Sequence, residues 1–340
     1  MSLFQKLNKN LYILVFFLIF FLIGIFIFSD YGISIDEDDT RLVGYVSLEY
    51  ISKIFFPEQT SKINEIIGGD WHTNYGMLMT YDVVSSGVVF DLPMALLEFI
   101  FQLDDSRQYF LLRHFFNFLI FFISVYFFFQ IVKNRYNSKF VGIIGALFLI
   151  VSPRIFANSF YNNKDIVFMS LFIIALLTAI KFIEKQNFKY ALIFSVVSAL
   201  TINVRILGLV LPIIVFFIYI INIFRNENKK KLIGPLVTFL ILTPFFIILF
   251  WPYLWENPIQ HFLYIFKSLS GHNLGIYNYY LGQHIFSTNP PWHYSLVWIF
   301  ITTPLLYIIL FLFGFTFILQ RIIKRWLIIK NNNLFINLWR

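Results

Sequence analysis

Four consecutive acids, Asp36, Glu37, Asp38 and Asp39, stand directly after an almost uninterrupted apolar run, with Arg41 two residues further on. Adjacent carboxylates repel, so either one of them keeps its proton above the ordinary range or a cation gathers there. A carboxylate at a water–lipid boundary is placed to deprotonate a hydroxyl. The same run also reads as a solvated acidic loop. A further acid, Asp165, opens an apolar stretch within SPRIFANSFYNNKDIVFMSLFIIALL, residues 152–177. It suits the first turn of a helix, where the helix dipole favours negative charge. It is also the only acid from Ser106 to Trp255 apart from Glu184 and Glu227. Arg113, Arg154, Lys164 and Arg205 stand at the ends of apolar runs. A charge at such depth is costly and needs a partner, which is either an internal carboxylate or a ligand phosphate. Arg113 equally suits a snorkelling interface anchor. His293 sits in an aromatic stretch, NPPWHYSLVW. No HxxxH or HExxH pair occurs, so the histidines do not suggest a zinc site.

The elements that must hold these residues are membrane spans. The 340 residues are 59% hydrophobic and only 13% charged, which excludes an ordinary soluble domain. There is no cysteine, so disulfides and thiolate chemistry are excluded. Eight apolar segments are expected to cross a bilayer: 11–28, 109–132, 140–160, 166–183, 190–203, 206–224, 232–250 and 295–319. Segment 140–160 is interrupted by Pro153 and Arg154, and 190–224 is divided by Asn203-Val204-Arg205. With the N-terminus inside, seventeen of the 26 basic residues fall on the cytoplasmic side, as the positive-inside rule requires. That distribution argues against nucleic acid as the reason for the net charge of +8. Sixteen of the 18 acids fall outside, and orientation rules do not account for that excess. The outer segments are 29–108 and 251–294, and residues 76–101, with Asp82, Asp91, Pro93 and Glu98, read as helices lying at the outer interface. The first span reads as an uncleaved anchor, and 321–340 as a cytoplasmic tail.

These pieces together resemble the GT-C membrane glycosyltransferases, nearest to protein O-mannosyltransferases, lipid A aminoarabinose transferases and RgtA/B/C/D-like bacterial enzymes. The resemblance rests on Asp36-Glu37 after the first span, RHFFNFLIFFISVYFF at the second, SP…NNKDI entering the fourth, ALTINVRILGLVLPI at the fifth–sixth turn, and NPPWHYSLVWIFITTPLL before the eighth. It covers about residues 10–320. It implies an all-α multi-span bundle over 1–320 whose long first outer loop carries interfacial helices. It implies transfer of a hexose or pentose from a polyprenyl-phosphate donor to a lipid, glycan or protein hydroxyl. The setting would be a bacterial inner membrane, with the site periplasmic. Asp36, Glu37 and Asp165 would be catalytic, and Asp36 and Asp165 would also be the ligands of any divalent cation. Arg205, Arg113, Arg154, Lys164 and His293 would bind substrate. A base facing the sugar opposite a phosphate leaving group favours inversion, by analogy with inverting glycosidases.

The rival reading is a multi-span transporter or flippase for a lipid-linked glycan. Such a protein should carry charges near mid-membrane and repeated halves. Here most acids lie in loops and no repeat is visible.

Overall fold

A computed structural model describes residues 3–67, 87–225, 229–270 and 276–326. The helices begin with α1 (Leu3–Ile27), α2 (Glu37–Phe55), α3 (Thr60–Ile67), α4 (Asp91–Phe101) and α5 (Ser106–Tyr136). Next come α6 (Lys139–Val151), α7 (Pro153–Tyr161), α8 (Asp165–Lys185), α9 (Phe188–Val204), α10 (Val210–Arg225) and α11 (Lys229–Leu249). Last are α12 (Pro258–Ser270), α13 (Tyr294–Thr302) and α14 (Leu305–Trp326). Among the described residues, six helices are long and apolar enough to cross a membrane, lying in α1, α5, α8, α10, α11 and α14. A helix satisfies every backbone polar group within itself, which lipid demands. The expected all-α multi-span architecture is what the described residues adopt, with six such helices, or seven if α6 and α7 together make one span, against the eight expected. In place of span 190–203 stands α9, a shorter apolar helix of 17 residues.

Segment 140–160 is not one straight helix. It is α6 and α7, bent by 69° at Ser152. Pro153 supplies no N–H and pushes Ser152 out of the helical region, to φ −64° and ψ 110°. With thirteen residues, α6 is about 20 Å long, short of the ~30 Å hydrocarbon core. The break expected near residue 204 is present: α9 ends at Val204, Arg205 is extended, and a 3₁₀ turn leads into α10. Segment 295–319 is likewise divided, into α13 and α14, and Pro304 stands at the break. Residues 76–86 lie outside the described residues; from 91 on, α4 has eleven residues, too few to span.

Contacts divide the chain into two compact units, residues 1–261 and 262–340. The first unit has an aromatic seam. Phe20 of α1 meets Phe118 and Phe121 of α5 at ring separations of 5.6 and 6.0 Å, and Phe118 stacks on Phe160 of α7 at 5.3 Å. Gly24 makes this approach feasible, because a Cβ there would lie 1.8 Å from the Phe118 ring tip. A second cluster joins α8 to α11: Phe182 packs on Phe194, Tyr219 and Phe239 with centroids 5.9, 4.8 and 5.7 Å away. Two tight connections hold neighbouring helices antiparallel. Asn137 ends α5 in the left-handed region and Ser138 caps α6; Gln186 ends α8 the same way and Asn187 caps α9.

Helices α2, α3 and α4 share a small core of Tyr45, Leu48, Ile63, Ile67 and Ala95. In the second unit, β1 (Tyr277–Tyr280) pairs antiparallel with β2 (Gln283–Phe286). Leu281 and Gly282, both at positive φ, form the two-residue turn that suits a twisted hairpin.

Gly44 sets how closely α2 and α4 approach. A Cβ there would sit 2.4 Å from the Asp91 carbonyl oxygen. Gly44→Ala is expected to destabilise the protein by about 1–3 kcal/mol through overpacking. A thermal unfolding midpoint in detergent equal to that of the unaltered protein would show that these helices do not meet at Gly44.

Candidate functional site

The acidic run folds as the N-terminus of α2, and the helical period separates its members. Asp36, Asp38 and Asp39 are exposed, whereas Glu37 is 1% exposed. Glu37 shares its face with Thr40, Gly44, Ser47 and Leu48, at the three-to-four-residue spacing of one buried stripe. Its Oε2 accepts from the Ser34 amide at 2.6 Å, and its Oε1 lies 2.9 Å from Nε2 of the equally buried His114 on α5. That second approach is an electrostatic contact rather than an aligned hydrogen bond, since neither His114 ring nitrogen makes one among the described residues. Asp36 is the N-cap residue, and its carboxylate makes no capping hydrogen bond.

Beneath this terminus lies a buried polar network. Asn163, in the turn before α8, donates to Thr40 Oγ1 at 2.7 Å and to Asp91 Oδ1 at 3.1 Å. Arg113 Nη1 donates to the same Asp91 oxygen at 3.0 Å, with both side chains buried. Burial pushes the Asp91 carboxyl up to about 6; Arg113, Lys164 and Asn163 pull it back without cancelling that cost. Beside it, Arg41 Nε donates to Glu98 at 2.8 Å, and its guanidinium lies over Tyr109 at 3.9 Å. Burial alone would lower Arg41, but the Glu98 hydrogen bond and charge outweigh it and hold the guanidinium above its ordinary range. Burial, then Glu98, pushes the Tyr45 hydroxyl up.

Asp165 is the first residue of α8 and is exposed. Its amide donates to Asn162 Oδ1 at 2.8 Å, and Asn162 Nδ2 donates to its Oδ2 at 3.2 Å. Arg205 Nη2 lies 2.5 Å from its Oδ1, in a pair whose side chains are 45% and 62% exposed for Arg205 and Asp165. Lys164, half-buried, is the N-cap of α8, and Arg154 is exposed in the first turn of α7. His293 belongs to the second unit, where its Nδ1 lies 2.6 Å from the Tyr280 hydroxyl.

The contact between Asn163 and Thr40 joins the N-termini of α2 and α8. Thr40 is four residues from Asp36, and Asn163 is two from Asp165. Arg113 enters the same network through Asp91. Sequence reasoning gave no site role to Thr40, Asp91, Glu98, His114 or Asn163, although it noted Asp91 and Glu98 in the interfacial segment. A signal for two of them was present: Asp91 and Glu98 lie seven apart in an apolar helix, on one face, and buried acids require partners.

In the absence of donor, the described residues form no all-protein cage for a divalent cation. Asp165 already engages Arg205 and Asn162 through its two oxygens. Among the described residues, no three acids or histidines come together around one point. Calcium or magnesium takes six or more oxygen ligands, of which water and a substrate phosphate can supply several.

Residues 92–251 match the family model described as dolichyl-phosphate-mannose-protein mannosyltransferase, 160 of the 340 residues. No curated protein and no solved structure matches the chain. Over that stretch, just under half of the chain, the sequence is similar to this family of membrane glycosyltransferases, which bears out the resemblance read from the sequence for those residues. The stretch contains Arg113, His114, Asn163, Asp165 and Arg205; Asp36 and Glu37 precede it.

Asp91 gives the fold a pH dependence. Its carboxyl titrates near 6 in the folded chain against 3.8 ordinarily, so the folded state binds this proton more tightly. The stability it contributes is complete below the lower value and is lost as pH rises through the higher one. Asp91→Asn is expected to flatten the fall in unfolding midpoint between about pH 4 and pH 7. Identical slopes for variant and parent would remove Asp91 as the titrating group.

Proposed function

We propose that this chain transfers a hexose or pentose from a polyprenyl-phosphate donor to a hydroxyl of a lipid, glycan or protein acceptor on the extracytoplasmic face of a bacterial inner membrane. One observation carries the reading. The Asn163 bridge to Thr40 draws the first-loop acids, distant in sequence, against the segment that matches the glycosyltransferase family.

The residue types then divide the work. Of the adjacent pair Asp36 and Glu37, Glu37 is spent on Ser34 and His114, whereas Asp36 is exposed and makes no cap bond. Asp36 is therefore the base. It removes the acceptor O–H proton as the acceptor oxygen bonds to the sugar's anomeric carbon. The bond from that carbon to the phosphate oxygen breaks, and polyprenyl phosphate departs with the electron pair. Attack opposite the leaving group inverts the anomeric centre. A phosphate leaving group needs charge neutralisation more than a proton, and pre-placed cations supply that.

Arg205 is placed for this. An exposed ion pair such as Arg205–Asp165 is worth only about 0–1 kcal/mol. A charge-assisted Arg–phosphate bond is roughly twice as strong as a neutral hydrogen bond. A donor phosphate can thus draw the guanidinium from Asp165 at small cost. Lys164 and Arg154 are the further cations near the two helix ends, and Glu37, His114, Asp91 and Arg113 act as positioning residues. No step is routed through a metal.

The test is transfer in proteoliposomes from a panel of polyprenyl-phosphate-linked radiolabelled sugars. Asp36→Asn is expected to lower the rate about 10²–10⁴-fold at unchanged thermal stability. Glu37→Gln should instead lower the unfolding midpoint. Full transfer by Asp36→Asn removes Asp36 as the base. Donor crossing the bilayer with no new glycosidic bond would make the protein a flippase. Arg205→Ala is expected to raise the KM for donor more than the KM for acceptor, and an unchanged donor KM would overturn its phosphate role.

A further inference from the structure

At the opposite end of the first unit's long helix lies a cavity of about 470 Å³ between α1, α5 and α6. Lys133 is twenty residues along α5 from Arg113, which places the cavity about 30 Å from the outer network. Its floor is aromatic, including Phe17 and Phe129, and its rim is polar, with Asn10, Gln130, Lys133 and Lys139. Lys139 Nζ donates to Asn10 Oδ1 at 2.5 Å. Lys133 Nζ donates to Gln130 Oε1 at 3.0 Å, and Gln130 Nε2 donates to the Tyr126 hydroxyl at 2.7 Å. Both partners of the lysines are neutral amides. Among the described residues no carboxylate lines the cavity, so two positive charges stand over it without an acid there. Each ammonium has three hydrogens, of which the described residues take one apiece through these amides.

We propose that this cavity binds the phosphate headgroup of an anionic phospholipid, with the start of an acyl chain against the phenylalanine floor. Three features select that class. The rim offers positive charge, so the ligand is an anion. The floor is apolar and the walls include two membrane-spanning helices, so the ligand is an amphiphile rather than a water-soluble phosphate. The lysines stand at the last turn of α5 and the first of α6, the depth of a headgroup. The lysines supply the preference for an anionic headgroup, and the phenylalanine floor supplies a place for the chain that a bare pair of surface lysines lacks.

The experiment is native mass spectrometry of the full chain, delipidated in detergent and titrated with phosphatidylglycerol or phosphatidylcholine. Phosphatidylglycerol is expected to bind about thirty-fold more tightly, the combined effect of two lysines near a membrane surface. Lys133→Gln with Lys139→Gln should erase that preference, and Lys133→Arg with Lys139→Arg should keep it. Equal affinity for the two lipids in the unaltered protein would overturn the proposal, and this arm depends on no variant. So would a preference that survives the double glutamine change. Full displacement of phosphatidylglycerol by excess inorganic phosphate would overturn the lipid assignment in favour of a free anion.

Discussion

One side-chain amide ties together the end of the first unit where α2 and α8 begin. Asn163 donates both to Thr40, near the start of α2, and to Asp91, which α5 holds through Arg113. An unpaired buried charge is prohibitively costly, so Asp91 and Arg113 must remain together. That pair, the Glu37–His114 contact and the Asn163 bridge fix α2 against α4, α5 and the entry to α8. Buried ion pairs add little net stability compared with apolar residues of equal volume. On the proposed function, their value lies in register, since they determine where the exposed carboxylates of Asp36 and Asp165 stand.

The breaks in the helices serve the same end. Arg205 is extended, with φ −148° and ψ 131°, between α9 and the turn into α10. A continued helix would have carried its side chain around the barrel of α9; the break lets it reach Asp165 at 2.5 Å. Ser152 and Pro153 break the chain earlier. The short α7 that follows presents Phe160, on which Tyr31 stacks at 4.4 Å. The first loop is therefore anchored where it leaves α1 and again, through Glu37 and Thr40, where α2 begins.

Much of this was legible in the sequence, for identifiable reasons. Long apolar runs mark spans because lipid permits few alternatives. Asn203-Val204-Arg205 disclosed a turn because a charge and an amide interrupt an otherwise unbroken run. Pro153 disclosed an interruption, but not that it bends the chain by 69°, since the angle follows from what α6 and α7 pack against. The acidic run was harder. Four adjacent acids look equivalent in sequence, and only the helical stripe through Thr40, Gly44 and Ser47 shows that Glu37 alone turns inward. His114 and Asn163 gave no comparable sign, because their partners lie 77 and 123 residues away.

The same helix, α5, links the polar network to the rest of the first unit. Between Arg113 and Lys133 it is dominated by phenylalanine, and those rings interlock with α1 and α7. Lipid supplies no hydrophobic force to press helices together, so this contact depends on shape and dispersion. Rings have few rotamers and little freedom to lose, which makes such a seam stiff for its area. Phe118 sits against Gly24 with no room for even a methyl group. A shift of α5 along its axis would drive that ring into α1, so Arg113 and His114 cannot move with α5 without repacking the seam. The aromatic rings of this seam thus have a mechanical role: they hold α5, which carries Arg113 and His114, against α1 and α7.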